Sequence, residues 1–230
     1  NWHIYIVNAD GSNLKQLTSG NYDHREPHWS PDGTTLTFSS DRSGNYDIWT
    51  LDVVGEQLIP FTSSPSNEYG PTWSPDGRQL AYVSSDKTSG KILIRSTIDD
   101  SEQVAYNGYG KLTGISWSPT GKKLLFNEHA GIEAALKQID PKTGRSQTLS
   151  GSQEDVFPFR HSWLSDSSFI YSSTGKILRR NGDAPATEIA FEINLWLDRS
   201  PYQQKKRNFD ETHAQLVKGI AWPNLSPKGT

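Results

Sequence analysis

His24 and His28 stand four residues apart, a spacing that on a helix would turn two imidazoles towards one metal. Pro27 lies between them and disfavours a helix. Along an extended chain at about 3.3 Å per residue the two would sit roughly 13 Å apart, too far to share bonds near 2 Å. They read as structural or solvent-exposed histidines. Asn8, Asp10 and Ser12 supply oxygens like the start of a calcium loop, but Ser19 stands where its closing Glu belongs, so a hairpin turn is the better reading. Gly114-Ile115-Ser116-Trp117-Ser118 comes nearest to the nucleophile elbow of serine hydrolases and lacks its second Gly. No His-x-His pair and no Gly-x-x-x-x-Gly-Lys-Ser/Thr phosphate loop occurs. The expectation is a chain without catalytic residues, metal or cofactor.

The elements that position these residues come from a repeat. Trp29-Ser30-Pro31-Asp32-Gly33 returns as Trp73-Ser74-Pro75-Asp76-Gly77 and as Trp117-Ser118-Pro119-Thr120-Gly121, each after 44 residues, and Trp163 follows after 46. Leu36 and Phe38, Leu80 and Tyr82, and Leu124 and Phe126 then alternate as a strand with one buried face does. Further alternating runs start at Ile48, Ile92 and Leu136, and short ones at Leu58 and Gln147. Pro at fixed φ followed by Gly suits a tight hairpin. Four short antiparallel strands in a period of about 40–45 residues describe a propeller blade, so the fold class is all-β, a β-propeller of four-stranded antiparallel blades.

Gly131 to Gln138 is locally a helix sequence, but its register matches the third strand of neighbouring repeats, and the repeat is taken to prevail. The recurring Trp reads as a wedge between blades. The Trp163 turn has lost both Pro and Gly, marking a degenerate blade.

Four blades are fairly complete. The chain opens on the last two strands of another, Ile4 to Thr18, and closes on Leu225-Ser226-Pro227-Lys228-Gly229, the first turn again. Either the ends pair to close the ring or further blades follow; an open ring exposes strand edges, which favours a longer parent. Met is absent, so residue 1 is not an initiator, in keeping with a piece of a longer chain. Blades are expected over 1–190, an extended insertion over 191–222, and the start of a further blade over 223–230. The insertion, with Arg199-Ser200-Pro201-Tyr202 and Lys205-Lys206-Arg207, reads as a long exposed loop or as a docking element.

A net charge of −3, with 21% charged residues, does not describe a nucleic-acid binder. No apolar run approaches the roughly 20 residues of a membrane-spanning helix, so no membrane insertion is expected. With no Cys, disulfides and thiolate metal sites are excluded, and the compartment is left open.

Function must sit on residues the repeats do not share. In a propeller the loop ahead of the innermost strand opens at the rim of the central channel. Here those loops carry Asp23, His24, Arg25 and Glu26; Asn67, Glu68 and Tyr69; Lys111 and Thr113; and Asp155, Phe157, Arg160 and His161. Mixed charges and aromatics converging on one face could bind a peptide or protein segment; the plainer reading is solvated loops.

Trp-Ser-Pro-Asp-Gly, Leu-x-Phe and Ser40-Asp41-Arg42-Ser43-Gly44-Asn45-Tyr46-Asp47-Ile48-Trp49 together resemble the TolB-type, WD40-like propeller repeat, and Ile4–Thr18 looks like its second half. The resemblance covers residues 1 to about 190. It implies a six- to eight-bladed propeller of the bacterial periplasm or a secreted protein, acting as a non-catalytic protein- or peptide-binding scaffold. The Ala190–Thr230 stretch is similar to the propeller part of bacterial proteins in which TolB-like repeats precede a metal-dependent amidohydrolase domain. That alternative makes the chain an accessory domain of a hydrolase, its partner a C-terminal catalytic domain in the same polypeptide. A third idea, a lyase-like propeller with a channel metal, would need several His on one face.

Overall fold

Leu36, Phe38, Leu80, Tyr82, Leu124 and Phe126 all lie in the interior, as the two-residue alternation requires. They belong to a chain whose computed structural model describes residues 1–86 and 89–193. Among these residues the regular elements are all strands. A short pair, β1 (Tyr5–Ile6) and β2 (Lys15–Gln16), comes first. Four four-stranded units follow: β3–β6 (His24–Trp29, Thr35–Ser40, Asp47–Asp52, Leu58–Pro60), β7–β10 (Asn67–Trp73, Gln79–Ser85, Gly90–Ser96, Glu102–Gly108), β11–β14 (Lys111–Trp117, Leu124–Ala130, Glu133–Ile139, Ser146–Thr148) and β15–β18 (Ser162–Ser165, Ser168–Ser173, Lys176–Asn181, Thr187–Glu188). Each pairs antiparallel with its sequence neighbours, the meander of a propeller blade. Glu133–Ile139 is a strand despite its helical composition, because pairing on both sides with β12 and β14 outweighs a local propensity worth fractions of a kcal/mol per residue.

The apolar core lies between blades. Ala81, Val83, Ile92 and Ile94 of the second blade pack with Leu112, Ile115, Leu124 and Phe126 of the third. Ile48 of the first joins Leu80 and Tyr82 of the second. Leu125 and Leu136 of the third meet Phe169 and Tyr171 of the fourth, and Ile4 of the leading half-blade packs on Trp29, Leu36 and Phe38.

The recurring Trp wedges into this seam and also bonds across it. Trp73 Nε1 donates to Thr37 Oγ1 at 3.0 Å, Trp117 Nε1 to the Thr72 carbonyl at 3.1 Å, and Trp163 Nε1 to Ser116 Oγ at 3.2 Å, each in the preceding blade. The turn after the Trp is fastened the same way in the first two blades. Ser30 and Ser74 hydroxyls donate to Asp32 and Asp76, whose carboxylates also accept the Thr34 and Arg78 amides, while Gly33 and Gly77 take φ of 73° and 70°. Asp10 closes the first hairpin likewise, accepting the Ser12 amide at 2.9 Å.

Most of the expected insertion over 191–222, and all of 223–230, lie outside the described residues; Phe191 to Ile193 carry no strand.

Candidate functional site

β3, β7 and β11 are the first strands of their blades and lie side by side, as the innermost strands of propeller blades do. Each carries a bulge ahead of its Trp, with the register shifting between Arg25 and His28, Tyr69 and Thr72, and Thr113 and Ser116. The bulge residue has positive φ: Glu26 at 55°, Gly70 at 63° and Gly114 at 65°. Gly tolerates this conformation freely, whereas Glu26 adopts it at a cost that usually accompanies a held, specific geometry. Its carboxylate Oε2 accepts the Gly70 amide at 2.7 Å, tying the first blade to the second at the axis.

The bulge also corrects the expected placement of the candidates. His24, Arg25, Glu26, Asn67, Glu68, Tyr69, Lys111 and Thr113 lie within the inner strands, not in loops ahead of them. Pairing resumes beyond the bulge, with His24 opposite Ser40, Asn67 opposite Ser85 and Lys111 opposite His129, so each strand runs further than its apolar pattern shows.

Not all the candidates face solvent. His24 is buried between the His3 ring, tilted at 5.7 Å, and the Phe38 ring, edge-on at 5.4 Å, and burial lowers its pKa. His28 takes a separate role: its Nδ1 accepts the Trp73 amide at 3.4 Å, and burial together with the Arg160 charge keeps it well below the usual imidazole range. Glu68 is buried against the first blade. Burial and the Asp47 and Glu102 carboxylates raise its pKa, against contacts to Thr62 and Ser64 that hold it down. Tyr69 is half-buried and its phenol is pushed up by burial.

Asp23, Arg25 and Asn67 sit at the start of β3 and β7, the end away from the Ser-Pro-Asp-Gly turns. Arg25 Nη2 contacts Asp23 Oδ2 at 2.5 Å and its guanidinium lies 5.3 Å from the centre of the Tyr46 ring. Asp23 gains a net downward shift: burial raises it, but hydrogen bonds from Arg25 and the Trp2 amide outweigh that. Asn67 Oδ1 accepts the Tyr46 amide at 3.2 Å. Asp41 accepts the Asp23 amide at 2.8 Å, and Arg42 lies over the Tyr22 and Trp49 rings, so that dipeptide organises the rim rather than forming an ion pair of its own.

A third-blade residue that carries no sequence signal holds the segment leading into the fourth blade. Asn127, fully buried on β12, donates through Nδ2 to the Phe157 and Phe159 carbonyls at 3.0 and 3.2 Å. Its Oδ1 lies 2.9 Å from His161 Nε2, so that nitrogen carries the proton and donates. Burial drives His161 down to about 3, and the nearby Arg160 charge acts in the same sense, so the ring is neutral at physiological pH. Clamped on both sides, Arg160 extends its guanidinium to the Pro71 carbonyl, 2.9 Å away on the second blade. Asp155 and Lys111 are exposed, and Phe157 stands edge-on to Phe159 at 6.2 Å.

Asn127 went unnoticed because it falls in a strand whose neighbours carry Ser39 and Val83 at the same register. The signal available was the column Glu26, Gly70, Gly114, Arg160, three residues before each Trp. Chemically the site offers fixed donors and acceptors, one ion pair, and a cation reaching across the axis. Among the described residues no group of three or more His, Cys, Asp or Glu side chains is disposed to hold a metal.

The TolB beta propeller domain model matches residues 1–171. Among solved structures, the chain is similar to TolB from Acinetobacter baumannii (19% identity, 80% of this chain and 47% of that one, TM-score 0.66). It is also similar to a putative TolB from Agrobacterium tumefaciens (20% identity, 82% and 66%, TM-score 0.62). A puromycin-hydrolyzing peptidase from Mycobacterium tuberculosis matches at 16% identity over 79% of this chain and 34% of its own (TM-score 0.59). The chain thus spans between about half and two thirds of the length of the TolB structures it matches.

Proposed function

The chain belongs to the TolB beta-propeller domain family, and from that premise we propose that it is a non-catalytic scaffold that binds a protein or peptide segment at the open end of its axis, in the periplasm or outside the cell. The observation that carries this reading is that the residues which differ from blade to blade gather there. Asp23, Arg25 and Tyr46 form one cluster, Glu26 and Arg160 both bond to the inner strand β7, and Tyr109 and Phe159 stand exposed nearby in sequence, while the Ser-Pro-Asp-Gly end repeats itself. A varied surface with aromatics and Arg on a rigid frame is what protein recognition uses.

Site-specific photocrosslinking tests it. A crosslinker at Asn67, Tyr109 or Phe159 in cells of the source organism is expected to capture a discrete protein, while one at Asp76 on the opposite end captures none. Equal capture from both ends, or none from either, would sink the proposal.

A second reading makes the chain an accessory propeller that positions substrate for a hydrolase domain in the same polypeptide. It is favoured by the similarity to a peptidase of which this chain covers only a third. Reading the open frame around residues 1 and 230 decides between the two: a following domain with a His-x-His metal motif or a nucleophile elbow would support the accessory role.

A further inference from the structure

We propose that Arg160 is the anchor of a carboxylate subsite beside the innermost strands of the blades, which takes either the C-terminal carboxylate or an acidic side chain of the bound peptide. This rests on the binding role proposed above and adds the chemistry of its ligand.

Four observations converge on it. Arg160 stands three residues before Trp163, just ahead of β15, where the other blades carry Glu26, Gly70 and Gly114 three residues before their Trp. Its side chain crosses to the second blade, where one nitrogen donates to the Pro71 carbonyl. A guanidinium has five N–H donors, and this is the hydrogen bond that fixes its reach. Among the described residues no carboxylate comes within 4.0 Å of it. The acid whose field it feels, Glu26, has Oε2 occupied by the Gly70 amide and near Ser39 Oγ. The remaining titratable groups facing it, His28 and His161, are both held neutral by burial. Arg160 is therefore a half-buried cation whose acidic neighbour, Glu26, is already engaged by the Gly70 amide.

A half-buried guanidinium with no carboxylate within ion-pair distance keeps donors free for an incoming one. Burial lowers even its guanidinium to about 10, against the pull of Glu26, so it stays charged at neutral pH. Its backbone is held by Asn127 through Phe159 and His161, so binding requires little further ordering. A planar fork of donors matches a carboxylate bidentately. Glu26 at the same depth disfavours a dianion such as phosphate more than a monoanion.

The test uses the full chain and three acetylated tetrapeptides: Gly-Gly-Ala-Ala with a free carboxylate, its C-terminal amide, and an amide with Glu in place of the third residue. The Arg160 Nε–Hε NMR signal, assigned from Arg160→Lys, reports contact, and titration gives affinity. The free acid or the Glu amide should move that signal, and the neutral amide should not. Which of the two does so identifies the source of the carboxylate. Arg160→Gln should weaken binding by about tenfold, the scale of one charge-assisted pair. Glu26→Gln, which keeps an acceptor for the Gly70 amide, should tighten it a few-fold, an effect that does not depend on how Arg160 variants fold. Equal binding of the neutral amide, no shift with either acid at millimolar concentration, or inorganic phosphate binding more tightly than both would overturn the subsite. Should crosslinking from the rim capture a partner while no carboxylate moves Arg160, the subsite falls and the scaffold role stands.

Discussion

Asp166 of the fourth blade closes the turn of the third: its Oδ1 accepts the Thr120 amide at 2.9 Å and its Oδ2 accepts the Thr120 hydroxyl. The first two blades close this turn with their own Asp32 and Asp76. The third has Thr120 there instead, and the carboxylate comes from the corresponding position of its neighbour. What reads in sequence as decay of the fourth turn is thus a linkage between blades. Asp166→Ala should lower the melting temperature, and Thr120→Asp should restore it in that background. With Asp166 present, Thr120→Asp should be unfavourable, since it brings two carboxylates together. Thermal melts of the four proteins check this; simple additivity would show that the turn does not use the neighbouring carboxylate.

The Trp wedges predict a second cycle. Trp73→Phe keeps the ring but loses the bond to Thr37 Oγ1 and should cost about 1 kcal/mol. Thr37→Val also loses the bond its hydroxyl donates to the His28 carbonyl and should cost about twice as much, and the double variant should fall short of the sum by about 1 kcal/mol, the bond the two share. Trp117→Ala, which empties a buried site, should cost about 3–5 kcal/mol by denaturant unfolding.

His161 should make the fold acid-sensitive. Its folded-state pKa of about 3 lies below the ordinary 6.5, so between these values the unfolded chain binds the extra proton. Stability is therefore full above 6.5 and falls as the pH drops through that window, with a slope of up to about 1.4 kcal/mol per pH unit. His161→Gln, which can still donate to Asn127, should make the profile shallower over that range, the remainder coming from His24, His28 and His129, which burial also lowers. An unchanged slope would mean that other groups carry the acid sensitivity.

Glu68 works with the opposite sign. Its raised pKa means that the ionised form is disfavoured in the fold, so the penalty is present at high pH. It is relieved as the pH falls through the folded value towards the ordinary 4.5. Glu68→Gln should raise the melting temperature at neutral pH and make no difference below 4.5. Destabilisation at neutral pH would show that the carboxylate charge is paired after all.

Gly114 tests the clamp around Arg160. At φ +65° any side chain is strained there, and a Cβ would come within 2.5 Å of the Phe159 carbonyl oxygen. Gly131 has nearly the same φ, +64°, with open space around it. Gly131→Ala should show the backbone cost alone, on the order of 1 kcal/mol. Gly114→Ala should cost more and speed amide exchange over residues 157–161. Equal costs would mean that the loop yields freely.

The blade is legible in the chain. Its 44-residue period, the two-residue alternation through Leu36 and Phe38, and the Ser-Pro-Asp-Gly turns state strand number, hairpin positions and the wedge, because each depends on residues close together in the chain. Register was strong enough to override the helical composition of Gly131–Gln138. Only the tertiary structure decided what stands next to what. It placed His24 and Glu68 in the seams between blades, joined Asp166 to Thr120, clamped His161 with Asn127, and carried Arg160 to Pro71, 89 residues away. The reason is physical: a period fixes each blade's own backbone. The rotation that packs one blade on the next decides which side chains meet across the axis, and that rotation is set by the sum of many inter-blade contacts.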